Sequence, residues 1–321
     1  MTSAIKHDRI VVVLSADDRY SRPMAVTARS LVATMSPGRS MDLHLCDMGI
    51  SAANKSRIEE AAAHPNVTIH WITSLDAQVA HLPLTWDHIT LATYARLLIP
   101  KVLTDEPRSL YLDVDLIARR CVGDLFDMDL AGNLALGVPD ATSPFVSSPY
   151  GIPFWASRGI PPETMNVNCG VLLTDLDAWR EEDIGGAAME YAGRHRTQFF
   201  GGDQEAINAV LPGRIGVIDP RWNQQTRHYD EIYNSTLPYE PDVLKGLLDD
   251  PWIVHFSTWL KAWTYGSGHP FRDEWFTRLD ETPFRGWRPR ASRYYGSKVA
   301  ASFGRVVNLV GSVGHKTVII P

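Results

Sequence analysis

The sequence lacks several features that mark particular classes of protein. Its 321 residues contain three cysteines, Cys46, Cys121 and Cys169, which are scattered and odd in number. A disulfide framework or a cysteine-based zinc knuckle is therefore not expected. No window approaches the roughly 18 apolar residues that a membrane span needs, and no internal repeat or low-complexity tract is present. The first 18 residues are not typical of a signal peptide, because acids soon follow a short apolar run. Together these absences predict a cytoplasmic enzyme or binding protein.

Acidic residues are also missing from one end of the chain. The net charge is −6 at pH 7, yet no Asp or Glu follows Glu281. Seven basic residues do follow it, so residues 282–321 carry +7 and the first 281 residues carry −13. They are Arg285, Arg288, Arg290, Arg293, Lys298, Arg305 and Lys316. An acidic body with a basic tail argues against a general nucleic-acid-binding protein.

The basic tail has an amphipathic pattern of its own. From Tyr295 onward, four apolar residues follow helical spacing beside two basic ones: Val299, Phe303, Val306 and Val310, with Lys298 and Arg305. Such a segment suits an anionic lipid surface, which predicts peripheral contact with the inner face of a membrane. The alternative is that the tail packs on the acidic body.

The first half of the chain alternates strand-like and helix-like segments. Short apolar runs predict strands, and runs with helical spacing predict helices. The strands are expected at 9–16, 41–48, 66–72 and 109–115, and the helices at 22–35, 51–64 and 91–100, the last ended by Pro100. Ser51 is suited to capping the second of these helices. This order predicts an α/β fold with a largely parallel sheet and helices on both faces. Ligands of such sheets bind beyond the carboxyl ends of the strands.

The second half is less regular. A strand-like run ends at Asp140, and the proline-rich residues 141–165 predict a long loop. Further strands are expected at 167–176 and 251–257, and helices over much of 175–195 and after the turn that begins at Gly201. Since no clear linker precedes residue 282, we expect one catalytic domain over residues 1–281 and a tail over 282–321.

Two carboxylates interrupt the apolar stretch SLYLDVDLI, which spans residues 109–117. Alternate residues of a strand point to the same face, so Asp113 and Asp115 could meet one ligand. A divalent cation would offset their mutual repulsion, and hard cations prefer oxygen ligands. The alternative is a strand that ends in two solvated acids. The apolar neighbours disfavour that alternative, because uncompensated charge is costly in a buried setting.

Six stretches between residues 10 and 263 together resemble the family 8 retaining glycosyltransferases, which include bacterial lipooligosaccharide galactosyltransferases and glycogenin. They are VVLSADDRY, TYARLLIP, LYLDVDLI, NVNCGVLLTDLDAWR, GGDQEAIN and VHFSTWLKAW, in that order. The resemblance implies a GT-A fold, with a single Rossmann-like nucleotide-sugar-binding domain and a mixed central sheet. It also implies a UDP-sugar donor, a saccharide or glycolipid acceptor, and Mn²⁺ or Mg²⁺ on the Asp-X-Asp motif.

The resemblance also implies roles for individual residues. Asp113, Asp115 and His255 match the metal ligands. Asp17 matches a residue that recognises uracil, and Arg96 and Lys261 match residues near the donor's sugar and diphosphate. Ala16 and Val114 join them in the donor site. Asp140, Asn168, Asp203 and Gln204 match the cluster that holds the sugar, and Gln204 with Asp203 is the expected catalytic pair.

Structural explanations of some of these residues stay open. Asn168 could be a turn residue before a strand, Asp203 could cap the helix that begins at Gln204, and Asp18 could simply cap a turn. Because the amide of Gln204 is a poor nucleophile, we expect a front-face reaction, in which Gln204 stabilises developing charge, over double displacement.

Two departures from the family pattern lie near His255. The usual glycine of the diphosphate grip is Thr258, and a usual proline is Ala262. Glu205 also stands where an aspartate is common. The function expected is transfer of a hexose, galactose or glucose, in lipopolysaccharide synthesis or a related pathway. The alternatives are glycogenin-like self-glycosylation and a sugar-nucleotide-binding protein without turnover. A nucleotidyltransferase is disfavoured, since it has no need of the sugar cluster.

Overall fold

A seven-stranded mixed sheet forms the centre of the molecule. The structure is a computed structural model that describes residues 6–84, 90–195, 201–230, 232, 236–259 and 261–291. The strand order is β3-β2-β1-β4-β7-β6-β8, and only β7 runs against its two neighbours. These strands are β1 (Arg9–Ala16), β2 (Ser40–Asp47), β3 (Val67–Ile72), β4 (Arg108–Leu112), β6 (Ala135–Pro139), β7 (Val167–Asp175) and β8 (Ile215–Val217).

A second sheet of three short strands lies beside the first. Its order is β5-β10-β9, with β10 antiparallel to β5 and parallel to β9. The strands are β5 (Leu116–Ala118), β9 (Gln224–Gln225) and β10 (Ile253–His255). Because β4 and β5 are separated by three residues, the chain passes directly from the large sheet into the small one at residues 113–115.

Ten α-helices within the described residues surround the sheets. They are α1 (Ser21–Thr34), α2 (Ala52–Ala62), α3 (Asp76–Val79), α4 (Ile99–Val102), α5 (Gly123–Phe126), α6 (Leu176–Glu181), α7 (Ile184–Arg194), α8 (Gly202–Val210), α9 (Pro241–Asp249) and α10 (Arg272–Asp280). Short 3₁₀ helices cover Asp18–Tyr20, Leu91–Leu98, Pro220–Asn223 and Thr226–Tyr229. No described helix is long and apolar enough to cross a bilayer.

The interior strand β1 is covered on both of its faces. Seven of its eight residues are buried, and since successive side chains point to opposite faces, both faces of the strand must be covered. The run of Val and Ile residues in RIVVVLSA suits this position, because a parallel strand inside an α/β sheet has no solvent-facing side. The predicted mixed α/β fold is confirmed.

Three local expectations are wrong. Pro100 does not end a helix. Instead, it lies in the first turn of α4, where its missing N–H would have no partner anyway. Ser51 occupies the N-cap position of α2, but its hydroxyl makes no capping hydrogen bond; its backbone N–H donates to Asp18 Oδ1 at 2.8 Å. Asp113 and Asp115 lie after β4 instead of inside a regular strand.

The first residues after Glu281 pack on the body of the protein. Phe284 lies against the core, and the Arg22 guanidinium is 4.4 Å from the ring centroid of Trp287. Arg288 forms an ion pair with Asp280 at 2.6 Å. The amphipathic segment that starts at Tyr295 lies outside the described residues.

Candidate active site

A cavity of about 210 Å³ opens at the carboxyl ends of β1 and β4. Of the twelve residues expected at the site, all but Asp140 line it: Ala16, Asp17, Arg96, Asp113, Val114, Asp115, Asn168, Asp203, Gln204, His255 and Lys261. Asp140 is one hydrogen bond away, since its Oδ2 accepts from both Asn168 and Gln204 at 3.1 Å. The structure therefore brings together all the residues to which the resemblance gave a role.

The turn between the two sheets positions the paired aspartates. Asp113 N–H donates to Gly170 O at 2.8 Å, which continues the β4–β7 ladder, and Asp115 O accepts from Phe256 N–H at 2.9 Å, which continues the β5–β10 ladder. The hydroxyl of Thr27, a buried residue of α1, bridges the carbonyls of Val114 and Leu116. Backbone pairing at both ends therefore holds the two carboxylates on one side of the turn without a regular strand.

Asp113, Asp115 and His255 form a candidate metal site. One oxygen or nitrogen of each lies within 4.8 Å of the others. His255 Nε2 is 3.1 Å from Asp115 Oδ1 and 3.6 Å from Asp113 Oδ2. Asp115 Oδ1 is buried and has no hydrogen-bond donor among the described residues. A buried oxygen without a donor is costly, and a cation in this position would satisfy it.

A chain of hydrogen bonds fixes which nitrogen of His255 faces the aspartates. Asn168 Oδ1 accepts the backbone N–H of Gly170 at 3.1 Å, so it can only be an oxygen. Asn223 must then turn its Nδ2 toward that oxygen, at 2.9 Å, and its Oδ1 toward His255 Nδ1, at 2.9 Å. In the neutral imidazole, Nδ1 therefore carries the proton and Nε2 presents its lone pair. Three acceptor atoms converge, and that donor set fits a divalent metal ion.

Two buried cations flank the metal ligands. Arg96 Nη2 donates to Asp113 Oδ1 at 2.7 Å, and Arg96 Nε lies 2.7 Å from Asp203 Oδ2. Lys261 Nζ donates to Asp115 Oδ2 at 2.5 Å and to Phe256 O at 2.8 Å. Burial opposes the charged form of Asp115, but the neighbouring Lys261 ammonium holds the pKa of its carboxyl well below its usual range. Lys261 thus lies beside the metal ligands, where its charge could also meet a phosphate.

The amides of Asn168 and Gln204 form one network with Asp140. Asn168 Nδ2 donates to Asp140 Oδ2 and to Gln204 Oε1, both at 3.1 Å, and Gln204 Nε2 donates to Asp140 Oδ2 at 3.1 Å. Asn168 lies within β7, so its interpretation as a turn residue is wrong. The register of β6 against β7 shifts here, with Gly137 opposite Leu172 and Val138 opposite Asn168. This irregularity lets β7 contribute a side chain to the network.

Asp203 is not a helix cap. Helix α8 begins at Gly202, two residues before the expected start at Gln204, so Asp203 lies in its first turn with its carboxylate pointing to Arg96. Burial raises the pKa of Asp203, and the neighbouring Arg96 charge opposes that effect. Asp17 lines the cavity and caps a 3₁₀ turn by accepting from Arg19 N–H at 3.0 Å. Asp18 does not line the cavity and does not cap this turn; its Oδ1 accepts from Ser51 N–H and Asn54 Nδ2 at the start of α2, both at 2.8 Å.

Two residues that shape the candidate metal site were not among those expected from the sequence. A Cβ on Gly170 would lie 2.3 Å from His255 Cε1 and 2.6 Å from Asp113 Oδ2, so only glycine fits beside the ligands. Asn223 is fully buried and contacts both His255 and Asn168. The stretch NVNCGVLL contains Gly170 and could have indicated it, whereas nothing in the sequence around Asn223 links it to His255.

The three residues that depart from the family pattern lie in different surroundings. Glu205 is buried; its Oε2 accepts from Gly201 N–H at 2.9 Å and its Oε1 from Tyr191 at 3.1 Å, so it holds the turn before α8. Thr258 does not line the cavity and instead borders a neighbouring groove with Trp259. Ala262 is fully buried in a small apolar cluster. None of these three residues displaces a candidate metal ligand.

Most of the chain matches one protein family in sequence. The model of glycosyl transferase family 8 matches residues 11–266. The chain belongs to glycosyltransferase family 8. Among the proteins similar to this chain, general stress protein A of Bacillus subtilis is 28% identical over 290 residues, which are 87% of this chain and 96% of that protein. Glycosyltransferase GlyB of Streptococcus pneumoniae is 32% identical over 198 residues, 61% of this chain and 43% of its own length.

Solved structures agree with the family in fold. The galactosyltransferase LgtC, in complex with donor and acceptor sugar analogues, superposes with a TM-score of 0.70 at 24% identity, over 88% of this chain and 99% of LgtC. The bifunctional glycosyltransferase WbbM has a TM-score of 0.73 at 21% identity, over 86% of this chain and 50% of its own. At such identities the likeness shows the fold, which is the expected GT-A fold of family 8.

Proposed function

We propose that this family 8 glycosyltransferase is a metal-dependent retaining hexosyltransferase. Its donor is a UDP-linked galactose or glucose, and its acceptor is a saccharide or glycolipid. One observation carries the proposal: the candidate metal ligands and the Asp140–Asn168–Gln204 network open into the same cavity. A charged leaving group and a hexose could therefore be held side by side in it.

Different residues around the cavity would contact the base and the diphosphate of the donor. Asp17, at the end of β1, would accept a hydrogen bond from the ring N–H of uracil. Asp113, Asp115 and His255 would hold Mn²⁺ or Mg²⁺, which when bound offsets the charge of the departing diphosphate. Lys261 lies next to Asp115, and its ammonium adds positive charge on the same side. Ala16 and Val114 complete the donor side of the cavity.

The amide network would hold the hexose. Asp140, Asn168 and Gln204 offer both donors and acceptors, the pattern that sugar hydroxyls require. Arg96 and Asp203 form a buried ion pair behind this network, and Arg96 also holds Asp113. We therefore assign Asp203 a positioning role through Arg96. Its carboxylate is already engaged, which leaves it ill suited to act as a nucleophile.

Retention would follow from a front-face reaction. The bond from the anomeric carbon to the diphosphate breaks while the acceptor hydroxyl adds on the same face. A phosphate oxygen of the leaving UDP takes the hydroxyl proton, so no enzyme base is required. Gln204 would stabilise the positive charge that develops on the sugar through its amide oxygen, whose position is set by hydrogen bonds from Asn168 and the Cys169 N–H.

The proposal is tested with a panel of nucleotide sugars. We expect UDP release from UDP-galactose or UDP-glucose in the presence of Mn²⁺ or Mg²⁺ and a disaccharide acceptor, little release with EDTA, and no release of GDP from GDP-mannose. An Asp113→Asn variant should lose at least ~100-fold in rate. Asp273→Asn is the matched control, because that side chain is 97% exposed and lies outside the cavity. Absence of UDP release from both UDP-sugars would contradict the proposal.

Three further measurements test the stereochemistry, the acceptor and the role of Gln204. The anomeric configuration of the product, read by NMR, tests retention. A mass increase in steps of one hexose on the protein itself, with donor alone, would favour self-glycosylation over transfer to another molecule. A Gln204→Ala variant should lose about 10²-fold or more in kcat, whereas Gln78→Ala, an exposed change elsewhere, should lose nothing. Unchanged kcat in Gln204→Ala would remove the role given to Gln204.

A further inference from the structure

A second cluster of metal-ligating side chains lies on the edge of the large sheet. Asp42 and His44 are two residues apart on β2, so they point to the same face, and His70 is the residue of edge strand β3 that pairs with His44. One ligand atom from each lies within 4.8 Å of the others. This cluster shares no residue with the candidate active site, and the proposed reaction does not use it.

Each of the two imidazoles has one ring nitrogen without a hydrogen-bond partner among the described residues. Their rings stack with centroids 4.6 Å apart and planes 17° from parallel. The Nε2 atoms of His44 and His70 are both buried and have no hydrogen-bond partner among the described residues. His44 is itself more than nine-tenths buried. A buried nitrogen without a partner is costly. Because the two rings are nearly parallel, their lone pairs lie in different planes, so a cation shared by both requires the His70 ring, whose side chain is 43% exposed, to turn toward His44.

The carboxylate of Asp42 is oriented for the same position. Its Oδ2 is held by Arg9 Nη1 at 2.5 Å, and Arg9 is anchored in turn by both oxygens of Glu106. The other oxygen, Oδ1, faces His70 Nε2 at 3.8 Å. The arginine therefore fixes the carboxylate and leaves one oxygen turned toward the imidazoles, in the way that second-shell groups orient metal ligands.

The next residue on the same face of β2, Cys46, is fully buried and does not belong to this cluster. The donor set is thus two imidazole nitrogens and one carboxylate oxygen.

We propose that Asp42, His44 and His70 bind a divalent transition-metal ion of the zinc class, distinct from the ion at the candidate active site. Imidazole-rich sets favour Zn²⁺, Co²⁺ or Ni²⁺, whereas Mg²⁺ and Ca²⁺ prefer oxygen ligands throughout. The ion joins edge strand β3 to β2, its neighbour in the sheet. Its effect is to fasten an edge strand, so it adds to stability without taking part in transfer.

The test is zinc binding to the full chain, measured by isothermal titration. Because zinc could also enter the candidate active site, the titration is run in an Asp115→Asn background, where we expect one zinc equivalent. Adding His70→Gln should weaken that binding by more than ~10-fold. His64→Gln, an exposed histidine in the loop before β3, is the matched control and should leave it unchanged. Asp42→Asn is a second test of the site, because it removes the carboxylate charge and keeps the shape of the side chain.

A second readout uses stability and spectroscopy. Zinc should raise the melting temperature of the Asp115→Asn protein, because a ligand that binds only the folded state stabilises it, and Mg²⁺ should not. Co²⁺ should give a visible absorption band that His70→Gln removes. The melting temperature of each metal-free variant shows that it is folded. No zinc binding in the Asp115→Asn background, or equal binding with and without His70→Gln, would overturn the proposal.

Discussion

At the scale of single residues, the candidate metal site depends on groups that touch no ligand atom. The backbone N–H of Gly170 fixes the amide of Asn168, that amide fixes Asn223, and Asn223 fixes the protonated nitrogen of His255. Each step follows from the rule that a donor must face an acceptor. The same series of hydrogen bonds links the metal ligands to the Asp140–Asn168–Gln204 network. A substitution in one group should therefore alter the geometry of the other.

Asn223 provides the first prediction. Replacing it with Leu removes the acceptor for His255 Nδ1–H, so the ring loses its orientation, and Mn²⁺ affinity should fall about 10- to 100-fold. Replacing it with Asp keeps an acceptor for His255 but removes the donor to Asn168, so most of the metal affinity should remain. Manganese titration followed by electron paramagnetic resonance measures both. Equal affinity in wild type and Asn223→Leu would show that this orientation is unimportant.

Gly170 provides the second prediction. The Cβ of Gly170→Ala would lie 2.3 Å from His255 Cε1, well inside van der Waals contact, so the imidazole or the strand must move. We expect a loss of Mn²⁺ affinity of at least ~10-fold.

Gly193→Ala is the control for this substitution. A Cβ at Gly193, in α7, meets no atom within 4 Å. Alanine there should stabilise the protein by about 0.5–1 kcal/mol, since glycine is unfavourable in a helix. Denaturant unfolding measures the control, and manganese titration measures Gly170→Ala. Unaltered metal affinity in Gly170→Ala would contradict the tight fit.

At the scale of elements, the turn at residues 113–115 joins the two sheets. It has no regular ladder of its own, and its geometry comes from the ends of β4 and β5 and from α1 behind it. Thr27 is the contact from α1. Because it is fully buried, water cannot replace its hydroxyl if that group is lost. The position of the two aspartates thus depends on a helix that is distant from them in sequence.

The third prediction concerns Thr27. Thr27→Val has nearly the same shape but leaves the carbonyls of Val114 and Leu116 without this donor, so the free energy of unfolding should fall by about 1–3 kcal/mol. Thr34→Val is the control: Thr34 lies in the same helix, is only partly buried, and its hydroxyl donates to the carbonyl of Ser30 four residues earlier. Chemical denaturation compares the two. An equal, small effect would mean that Thr27 does not support the turn.

Most elements could be predicted from the sequence, whereas their junctions could not. The Val-rich run predicts β1 correctly because apolar burial is a local signal, and the family motifs indicate the residues that meet at the cavity. Pro100 was misinterpreted because a proline is compatible with the first turn of a helix as well as with its end. Ser51 takes the N-cap position of α2, but its hydroxyl makes no capping bond, and its backbone N–H binds Asp18 of another segment. A contact between segments that are distant in the chain leaves no local pattern.

At the scale of the whole molecule, the charges are divided between an acidic body and a basic end of the chain. The first basic residues of that end are already occupied: Arg288 pairs with Asp280, and Phe284 and Trp287 pack on the body. A deletion that begins at residue 285 would remove part of this packing along with the tail. The membrane hypothesis is therefore tested better by a cut after Ala291.

The final prediction compares the full chain with the chain that ends at Ala291. The deletion removes four basic residues, Arg293, Lys298, Arg305 and Lys316, together with the amphipathic pattern. If the tail contacts an anionic surface, the full chain should sediment with vesicles that contain phosphatidylserine, less so at high salt because screening weakens the attraction. The shortened chain should stay in the supernatant, with an unchanged melting temperature. Equal binding of the two chains would rule out the tail as the contact, and a lower melting temperature without any vesicle binding would favour a tail packed on the acidic body.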